Sequence, residues 1–460
     1  MDVPMIGMDL GVTAKTEIAV AEGSKVTRTF RAPSTPAGLT AAVRKAAAAA
    51  EGEVGLVLES TAMAGFVAGV AAERSGVQHK LYRVSGRKAA ALRAFYRSHT
   101  KTDRIDARVL ARIPLVDEGL REFTLPTKEQ HALKRLVTMR QKLVKQATSL
   151  KGRVRSTLHW AAPGLLGKSS VNEGIVAILE RWPSLERLAA ARTATIRAVA
   201  GVSGERARHI RKHAKAAVEF YQDRVEFEML ALELELTVDQ LKQLHAQQEK
   251  LDEHIRELHE QLYPEDVLFT LPGVGPTIAP VVRALVGNLS NFGNLASFRA
   301  YTGLVPRENS SGDARRRGKI SKAGPNLLRW ALYLAADVAR RHDPDLAALY
   351  RRLMLERGHH HQQAICAVAS HLVGRIWAVI REDRPYQHRD LDGNPITREE
   401  AQALAQELAI DKETRERLKT GQQKREPNVS RSRQPKTPQD HAQLSPSQLT
   451  ETALELAQHT

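Results

Sequence analysis

Apolar and polar positions alternate along residues 4–30, in the segments PMIGMDLG, TEIAVAEG and KVTRTFRAP, which Gly and Ser separate. Alternation with a period of two is typical of half-buried β-strands, so three consecutive strands are predicted. Thr35 and Pro36 then suit the cap and first turn of an Ala-rich helix. A strand over 53–60, a helix and a fifth strand in HKLYRVSG follow. This order predicts an α/β sheet of the RNase H-like type, with helices on both faces.

The chain is predicted to be helical over residues 102–155, with a long helix over 128–155, and a second long helix is predicted over 216–262. In the first, Leu136, Leu143 and Leu150 recur every seven residues. In the second, the a and d positions of a heptad hold Leu241, Leu244, Leu251, Ile255, Leu258 and Leu262. Two interpretations fit this pattern: an intramolecular hairpin against 128–155, and a coiled coil that dimerises two chains. The heptads alone do not separate them.

Changes in composition divide the chain into four regions. We predict an α/β domain over 1–115, a helical or coiled-coil region over 116–265, a mainly α domain over 266–392 and a polar tail over 393–460. The tail is rich in Gln, Ser, Pro and Thr and lacks the apolar content to fold alone, which predicts disorder.

The chain is strongly basic, with 69 Lys and Arg against 52 Asp and Glu and a formal net charge of +17. This charge indicates a polyanionic partner, because each cation that meets a phosphate releases a counterion. Between Lys134 and Arg155 there are eight Lys or Arg and no acidic residue. The residues predicted to bind nucleic acid on this helix are Lys142, Lys145, Lys151 and Arg153.

A membrane surface would attract the same charge. However, no segment approaches the roughly 18 uninterrupted apolar residues of a spanning helix. The start MDVPMIGMDLG also lacks the charged region of a signal peptide. The single cysteine, Cys366, excludes a disulfide within one chain and fits a reducing cytoplasm. We therefore predict a cytoplasmic protein with no membrane partner.

The segment LPGVGPTIAP contains the Gly-Val-Gly of a helix-hairpin-helix-like motif. Gly273 and Gly275 permit a tight turn whose backbone N–H groups can meet a nucleic-acid phosphate. A plain corner between two helices is the alternative interpretation.

Four carboxylates occupy positions that suit a metal site. Asp9 ends the first predicted strand, Glu59 ends the strand VGLVLES, and Asp103 and Asp106 lie three apart on one helix face. Clustered carboxylates are tolerated when hard cations such as Mg²⁺ or Mn²⁺ lie between them, and two such ions can assist a phosphoryl displacement. Taken singly, each acid is more often a turn residue, a helix cap or a paired surface charge.

The segments IGMDLG, LVLESTAMAG and KTDRIDARVLA resemble the DEDD transposases of bacterial insertion sequences, the one-ten and eleven-eleven family, to which pilin-gene inversion recombinases are related. The resemblance resumes at TLPGVGPTIAPVVRALVGNLSNFGNLASFRAYTGLVPRENSSG and continues through GKISKAGPNLLRWALYLAA to IREDRPY. It implies a RuvC-like domain in which Asp9, Glu59, Asp103 and Asp106 hold the metal ions. It also implies a second domain with a nucleophilic serine.

In the family that serine lies in a Ser-Ser/Thr-Gly segment, which corresponds here to Ser310 in NSSG; Ser311 and Ser321 are lesser candidates. Asp313-Ala314 replaces the usual Gly-Lys that follows. The cations implied to contact DNA near this serine are Arg315, Arg316, Arg317, Lys319 and Lys322. The family further implies that the protein binds a structured guide RNA and localises to the bacterial nucleoid. It also implies dimers or tetramers in which two protomers complete one active site.

The sequence therefore predicts a transposase that cuts and rejoins DNA through a serine-phosphate intermediate with metal-ion assistance. Two other classes remain open. One is a RuvC-like, structure-specific endonuclease that uses water as nucleophile. The other is an inactive nucleic-acid-binding protein.

Overall fold

A computed structural model describes residues 3–411, apart from 12–14, 60–63, 97–101, 118, 168 and 312–313, together with a few residues up to 418. The side chains of residues 64, 223, 309–311 and 314–317 lie outside this description.

The N-terminal region is built on a five-stranded mixed sheet with the order β3-β2-β1-β4-β5. Its strands are β1 (Met5–Asp9), β2 (Thr16–Glu22), β3 (Lys25–Ala32), β4 (Val54–Glu59) and β5 (His79–Val84). The first three strands pair antiparallel, and β1, β4 and β5 run parallel. The predicted three-stranded meander, followed by alternating helices and strands, is confirmed.

Helices cover both faces of this sheet: α1 (Pro36–Ala47), α2 (Ala64–Ser75), α3 (Gly86–Tyr96) and α4 (Asp103–Val116). Ile6 and Met8 of β1 face the core shared with α1 and α2. Met5 faces the opposite core, shared with α3 and α4. The Thr35 hydroxyl accepts from the Gly38 N–H at 3.2 Å and caps α1, as predicted.

The stretch over 102–155 is helical as predicted and contains two helices. The first, α4, ends at Val116, and α5 (Lys128–Ala161) begins after an irregular segment. Within that segment the Phe123 N–H donates to the Leu81 carbonyl of β5 at 2.9 Å. Thr127 and Gln130 form a capping box that starts α5 afresh.

The second long helix begins later than the predicted residue 216, because the end of another helix and a 3-10 helix occupy 216–224. This helix, α10 (Phe227–Leu262), packs antiparallel along α5 in the same chain, because Arg140 pairs with Asp252 whereas Thr157 contacts Glu233. The intramolecular interpretation of the heptads therefore describes the single chain, and dimerisation stays a prediction. Four shorter helices pack at the far end of this hairpin: α6 (Glu173–Arg181), α7 (Leu185–Ala190), α8 (Thr193–Arg197) and α9 (Gly204–Tyr221).

The C-terminal region is mainly helical: α11 (Ala279–Val286), α12 (Leu295–Thr302), α13 (Asn326–Ala339), α14 (Pro344–Leu355), α15 (His361–Glu382) and α16 (Arg398–Glu407). Short 3-10 helices occur at Gln222–Arg224, Val267–Thr270 and Leu289–Asn291. A two-stranded antiparallel hairpin, β6 (Pro306–Ser311) and β7 (Ala314–Ile320), was not predicted. Polar and charged residues fill both strands, so no apolar alternation indicated them.

Two further details differ from the predictions. The predicted polar tail over 393–460 contains α16, whose Ala401 and Ala405 are buried. Among the described helices, α15 is long and apolar enough to cross a membrane by length and composition. Its apolar residues lie in the core beside α12, α13 and α14, as expected of a core helix.

Candidate functional site

Asp9 and Glu59 end neighbouring parallel strands, since Met8 of β1 pairs with Leu58 of β4. Side chains alternate between the two faces of a strand. Val57 belongs to the core beside α3 and α4, so Glu59 lies on that face of the sheet. Asp9 shares a face with Met5, which belongs to the same core. Both carboxylates therefore occupy one edge of the sheet, on the side that α4 covers.

The approach of α4 to the sheet depends on Gly7. A Cβ at this position would lie 2.2 Å from the Ala107 carbonyl oxygen and 2.5 Å from the Ala111 nitrogen. Ala107 and Ala111 also share a small core with Ala residues of β2. Asp103 lies one turn before Ala107 on the same helix stripe. The stripe of α4 that packs on the sheet thus carries a carboxylate in its first turn.

Three of the four carboxylates, Asp106, Glu59 and Asp103, have different surroundings. The Asp106 carboxylate accepts from Arg93 of α3 at 2.6 Å, and these side chains are only 13% and 22% exposed. The Glu59 carboxylate lies against the start of α3, where a Cβ at Gly86 would be 2.5 Å from its Oε1. Asp103 is exposed.

Among the described residues, no group of three or more His, Cys, Asp or Glu lies close enough to hold a metal ion. The donor type still fits, because carboxylate oxygens are what Mg²⁺ and Mn²⁺ prefer. The backbone placement also fits, since the acids lie on neighbouring strand ends and on the helix packed against them. Arg93 contacts one carboxylate oxygen of Asp106, so a shared ion would bind the other oxygen or displace Arg93.

Sequence reasoning missed three residues at this edge. Glu17 of β2 lies opposite Asp9 in the strand register, and directly opposed residues share a face of the sheet. Glu17 is buried and pairs with Arg31 of β3, the second missed residue, which neutralises the charge of Glu17 beside Asp9. The third missed residue is Arg93, the partner of Asp106. The alternation in TEIAVAEG places Glu17 on the face of Ala19 and Ala21, and this signal could have identified it.

The predicted serine lies in the β6–β7 hairpin. Ser310 pairs with Arg315 across the two strands, and Ser311 pairs with Ala314. Asn309 and Glu308 pair with Arg316 and Arg317. The side chains of Ser310, Ser311 and Arg315–Arg317 lie outside the described residues. The backbone register alone places Ser310 in a strand, opposite an arginine.

The base of this hairpin is anchored between α12 and α13. The Ser321 N–H donates to the Val305 carbonyl at 2.8 Å, and the Lys322 N–H donates to the Gly303 carbonyl at 3.0 Å. Lys322 has a left-handed backbone with φ of 55°, which is uncommon for a residue with a side chain. Lys319 and Lys322 are both exposed. They are available to an anion at this end of the hairpin.

The two glycines of the predicted helix-hairpin-helix-like motif have different surroundings. A Cβ at Gly273 would lie 2.2 Å from the Ala335 carbonyl oxygen, so Gly273 permits close packing on α13. No atom lies within 4 Å of a Cβ at Gly275. A 3-10 helix, Val267–Thr270, precedes the turn where the motif has a full helix. Gly275 is the better candidate for a phosphate contact.

Three of the cations predicted to bind nucleic acid on α5, Lys142, Lys145 and Arg153, are exposed on the side away from its core. The opposite face of α5 packs Leu143 and Ala147 into the hairpin cores. Lys151 follows Ala147 by one turn, at the edge of that packed face, and is partly exposed. This arrangement leaves the predicted contacts open to a ligand.

An acidic sheet edge and a separate basic hairpin on one strongly basic chain are typical of enzymes that act on nucleic-acid phosphates. Comparison with known proteins defines the class further. Residues 6–163, which include all four carboxylates, match the family model DEDD_Tnp_IS110, described as a transposase. Residues 265–351, which include the β6–β7 hairpin, match the model described as "Transposase IS116/IS110/IS902 family".

Curated relatives agree with these matches. An IS110 insertion-element protein of Streptomyces coelicolor is 26% identical over 396 residues, 84% of this chain and 95% of the relative. An IS116 insertion-element protein of Streptomyces clavuligerus is 27% identical and covers 65% of this chain and 76% of its own length. A pilin gene-inverting protein of Moraxella lacunata is 29% identical over 28% of this chain and 40% of its own length.

The two family models together cover more than half of the chain. The chain belongs to the IS110 family of transposases, and it is a DNA transposase enzyme.

Proposed function

We propose that this transposase cuts and rejoins DNA strands through a covalent serine-phosphate intermediate, with Ser310 as nucleophile. The observation that carries this proposal is the strand register, which pairs Ser310 with Arg315 in a hairpin rich in cations. The Ser310 oxygen would bond to phosphorus while the bond from phosphorus to a deoxyribose oxygen breaks. The released deoxyribose oxygen takes up a proton and becomes a hydroxyl. Attack by a second DNA hydroxyl then restores the serine and completes the joining.

The charges around the hairpin suit this step. Arg315–Arg317, Lys319 and Lys322 would stabilise the charge that develops on the pentacovalent phosphate. An unactivated serine hydroxyl is a poor nucleophile, so a second group must take its proton. We propose that Asp9, Glu59, Asp103 and Asp106, on an RNase H-like sheet, supply this help by holding Mg²⁺ or Mn²⁺. Such ions, when bound, polarise the phosphate and activate the attacking oxygen.

The described hairpin does not pack extensively on β1, β4 or α4. We therefore propose that the metal-binding edge of one protomer meets the serine of another within a dimer or tetramer. A structured RNA that selects the DNA is a further proposal, which rests on the family resemblance and on the net charge of +17. The protein would act in the cytoplasm, at the nucleoid.

The serine is tested with suicide DNA substrates that trap a covalent protein–DNA adduct. We expect the parent protein and Ser321→Ala to form the adduct and Ser310→Ala to form none. An adduct with Ser310→Ala would refute the assignment. Loss of the adduct in Ser311→Ala alone would identify Ser311 as the nucleophile. If DNA is cut but no variant forms an adduct, water is the nucleophile and the endonuclease alternative is correct. Binding without any cleavage would support the inactive alternative.

The acidic edge is tested separately with Asp9→Asn. Removing one carboxylate disrupts ion binding, whereas DNA affinity depends on many Lys and Arg contacts. We expect strand cleavage to disappear and affinity to change less than about twofold, far below the tenfold effect of a ~1.4 kcal/mol contact. Full cleavage by Asp9→Asn in Mg²⁺ would contradict the metal site.

A further inference from the structure

Positive charge is concentrated in one part of the helical region. Residues 151–215 contain 13 Lys or Arg and four Asp or Glu. This stretch is about one seventh of the chain and holds more than half of its net charge of +17. It comprises the end of α5 and most of the four-helix cluster α6–α9.

The helix α9 separates its residues into distinct faces. One face is buried in the core of the cluster and consists of Ala207, Ile210, Ala214 and Ala217. The opposite face, here called the α9 stripe, consists of Arg208, Arg211, Lys212 and Lys215, all exposed. Their spacing of three, one and three residues places these four cations on one side of the helix. Within the described residues, only Lys215 of the stripe has an acidic partner, Glu219 at 3.6 Å.

A third set of side chains fixes the orientation of α9. Arg206 donates to the Leu166 carbonyl at 3.0 Å, His209 to that of Gly164 at 2.9 Å, and His213 to that of Pro163 at 3.1 Å. These carbonyls belong to the loop that follows α5. The loop bends at Gly164, whose φ is 82°. The three hydrogen bonds hold the loop against one side of α9 and leave the stripe facing outward.

The same loop also accepts a hydrogen bond from the end of α5. Arg155 of α5 donates to the Ser169 carbonyl at 3.4 Å, and Arg153 and Arg155 are exposed. Cations from two helices therefore flank one anchored loop. Hydrogen bonds from side chains of both helices to backbone carbonyls of this loop set their relative positions.

We propose that the α9 stripe, together with Arg155, is a second nucleic-acid-binding surface that contacts the phosphate backbone of a double helix. The stripe spans about 10 Å along α9, at a rise of ~1.5 Å per residue. Like charges this close repel one another, and a duplex with roughly one charge per 1.7 Å of its axis neutralises them. No aromatic residue lies on the stripe, so it offers no platform for unpaired bases.

The proposed surface rests on the nucleic-acid binding of the proposed function and not on its serine mechanism. Binding and the serine mechanism are therefore tested in separate experiments. The stripe variant replaces Arg208, Arg211, Lys212 and Lys215 with Gln. Fluorescence anisotropy in EDTA, which prevents cleavage, measures its affinity for a DNA duplex, an RNA duplex and a single strand over a range of salt concentrations. On duplex DNA we expect weaker binding and a slope of log K against log salt that is smaller by up to about 3.6, at ~0.9 for each of the four lost contacts.

A matched control removes the same number of exposed cations elsewhere, at Lys25, Arg74, Lys250 and Arg256. We expect its slope to stay close to that of the parent. The double variant Arg208→Lys, Arg211→Lys keeps the charge and should keep the slope. Circular dichroism and the thermal midpoint of unfolding check that each variant folds. If the stripe variant does not fold, the single variant Arg211→Gln replaces it, with an expected slope change of ~0.9.

Equal losses in the stripe variant and the control would mean that the stripe contributes only net charge, which would overturn the proposal. So would a loss confined to single strands. A loss on the DNA duplex alone assigns the surface to DNA, and a loss on the RNA duplex alone assigns it to a structured RNA. Either result supports the proposal that this surface binds a double helix. Adduct formation at Ser310 is measured separately, so failure of the serine mechanism leaves this result interpretable.

Discussion

Among single residues, Arg93 has the most direct influence on the acidic edge. Its guanidinium holds Asp106 at 2.6 Å. A guanidinium and a divalent cation bind the same carboxylate oxygens, so they compete for them. Asp106 differs in this respect from Asp103, which lies exposed three residues earlier.

Replacing Arg93 with Gln should therefore tighten metal binding. We expect Mn²⁺ to bind several-fold more tightly, up to about tenfold, because a partly exposed charge-assisted hydrogen bond is worth roughly 1.5 kcal/mol. Calorimetric titration of the DNA-free protein with Mn²⁺ measures this effect without relying on activity. Arg87→Gln, an exposed position on the same helix, is the control and should not change the affinity. Weaker Mn²⁺ binding by Arg93→Gln would mean that Arg93 organises Asp106 for the ion.

Among the secondary-structure elements, the packing of α4 on β1 decides where the helix carboxylates lie. The two elements approach so closely at Gly7 that the backbone of α4 fills the space of a side chain. Small residues on both sides, Gly7, Ala107 and Ala111, make this contact possible. The position of Asp103 and Asp106 relative to Asp9 therefore depends on a glycine that has no chemical role.

Gly7→Ala should destabilise the N-terminal region by about 1–3 kcal/mol, since an added methyl group in a packed core forces the backbone to shift. Cleavage should fall as well, because α4 carries two of the four proposed metal ligands. Urea-induced unfolding followed by circular dichroism measures the change. Gly52→Ala is the matched control, since no atom lies within 4 Å of a Cβ there. It should change stability by less than ~0.5 kcal/mol.

Across the whole molecule, one buried carboxylate joins the long helical hairpin to the C-terminal region. Asp266 lies just after α10 and its side chain is fully buried. It accepts from His259 of α10 at 3.0 Å, from the Leu268 N–H at 3.0 Å and from Arg283 of α11 at 2.5 Å. Burial alone would raise its pKa, but these hydrogen bonds outweigh it and hold the pKa of Asp266 well below its usual value.

Asp266→Asn should destabilise this junction by about 3–5 kcal/mol at pH 7, because it leaves Arg283 without its buried partner. A carboxyl whose pKa is lowered on folding stabilises the protein above its unfolded pKa and loses that effect as pH falls. The difference between parent and variant should therefore shrink below about pH 4. Urea-induced unfolding at pH 7 and pH 3.5 measures it. Asp252→Asn breaks the more exposed pair with Arg140 and should cost less than ~1 kcal/mol.

The sequence alone determined the elements that depend on local patterns. Period-two alternation predicted β1, β2 and β3, and Thr35 with Pro36 predicted the start of α1. Heptads predicted α10, and the motifs around Asp9, Glu59 and Asp106 indicated the family that the comparisons confirm. These predictions succeed because the sequence pattern of each element lies entirely in residues near one another in the chain.

Only the tertiary structure decided which distant residues meet. The heptads of α10 allowed two partners, and packing within one chain selected α5. Nothing near Asp106 in sequence indicated Arg93, and nothing near Ser310 indicated a strand that pairs it with Arg315. The cations of α9 become a stripe only because its other faces are occupied by the core and by the loop after α5. Such pairings depend on contacts between segments far apart in the chain, which no local pattern of residues records.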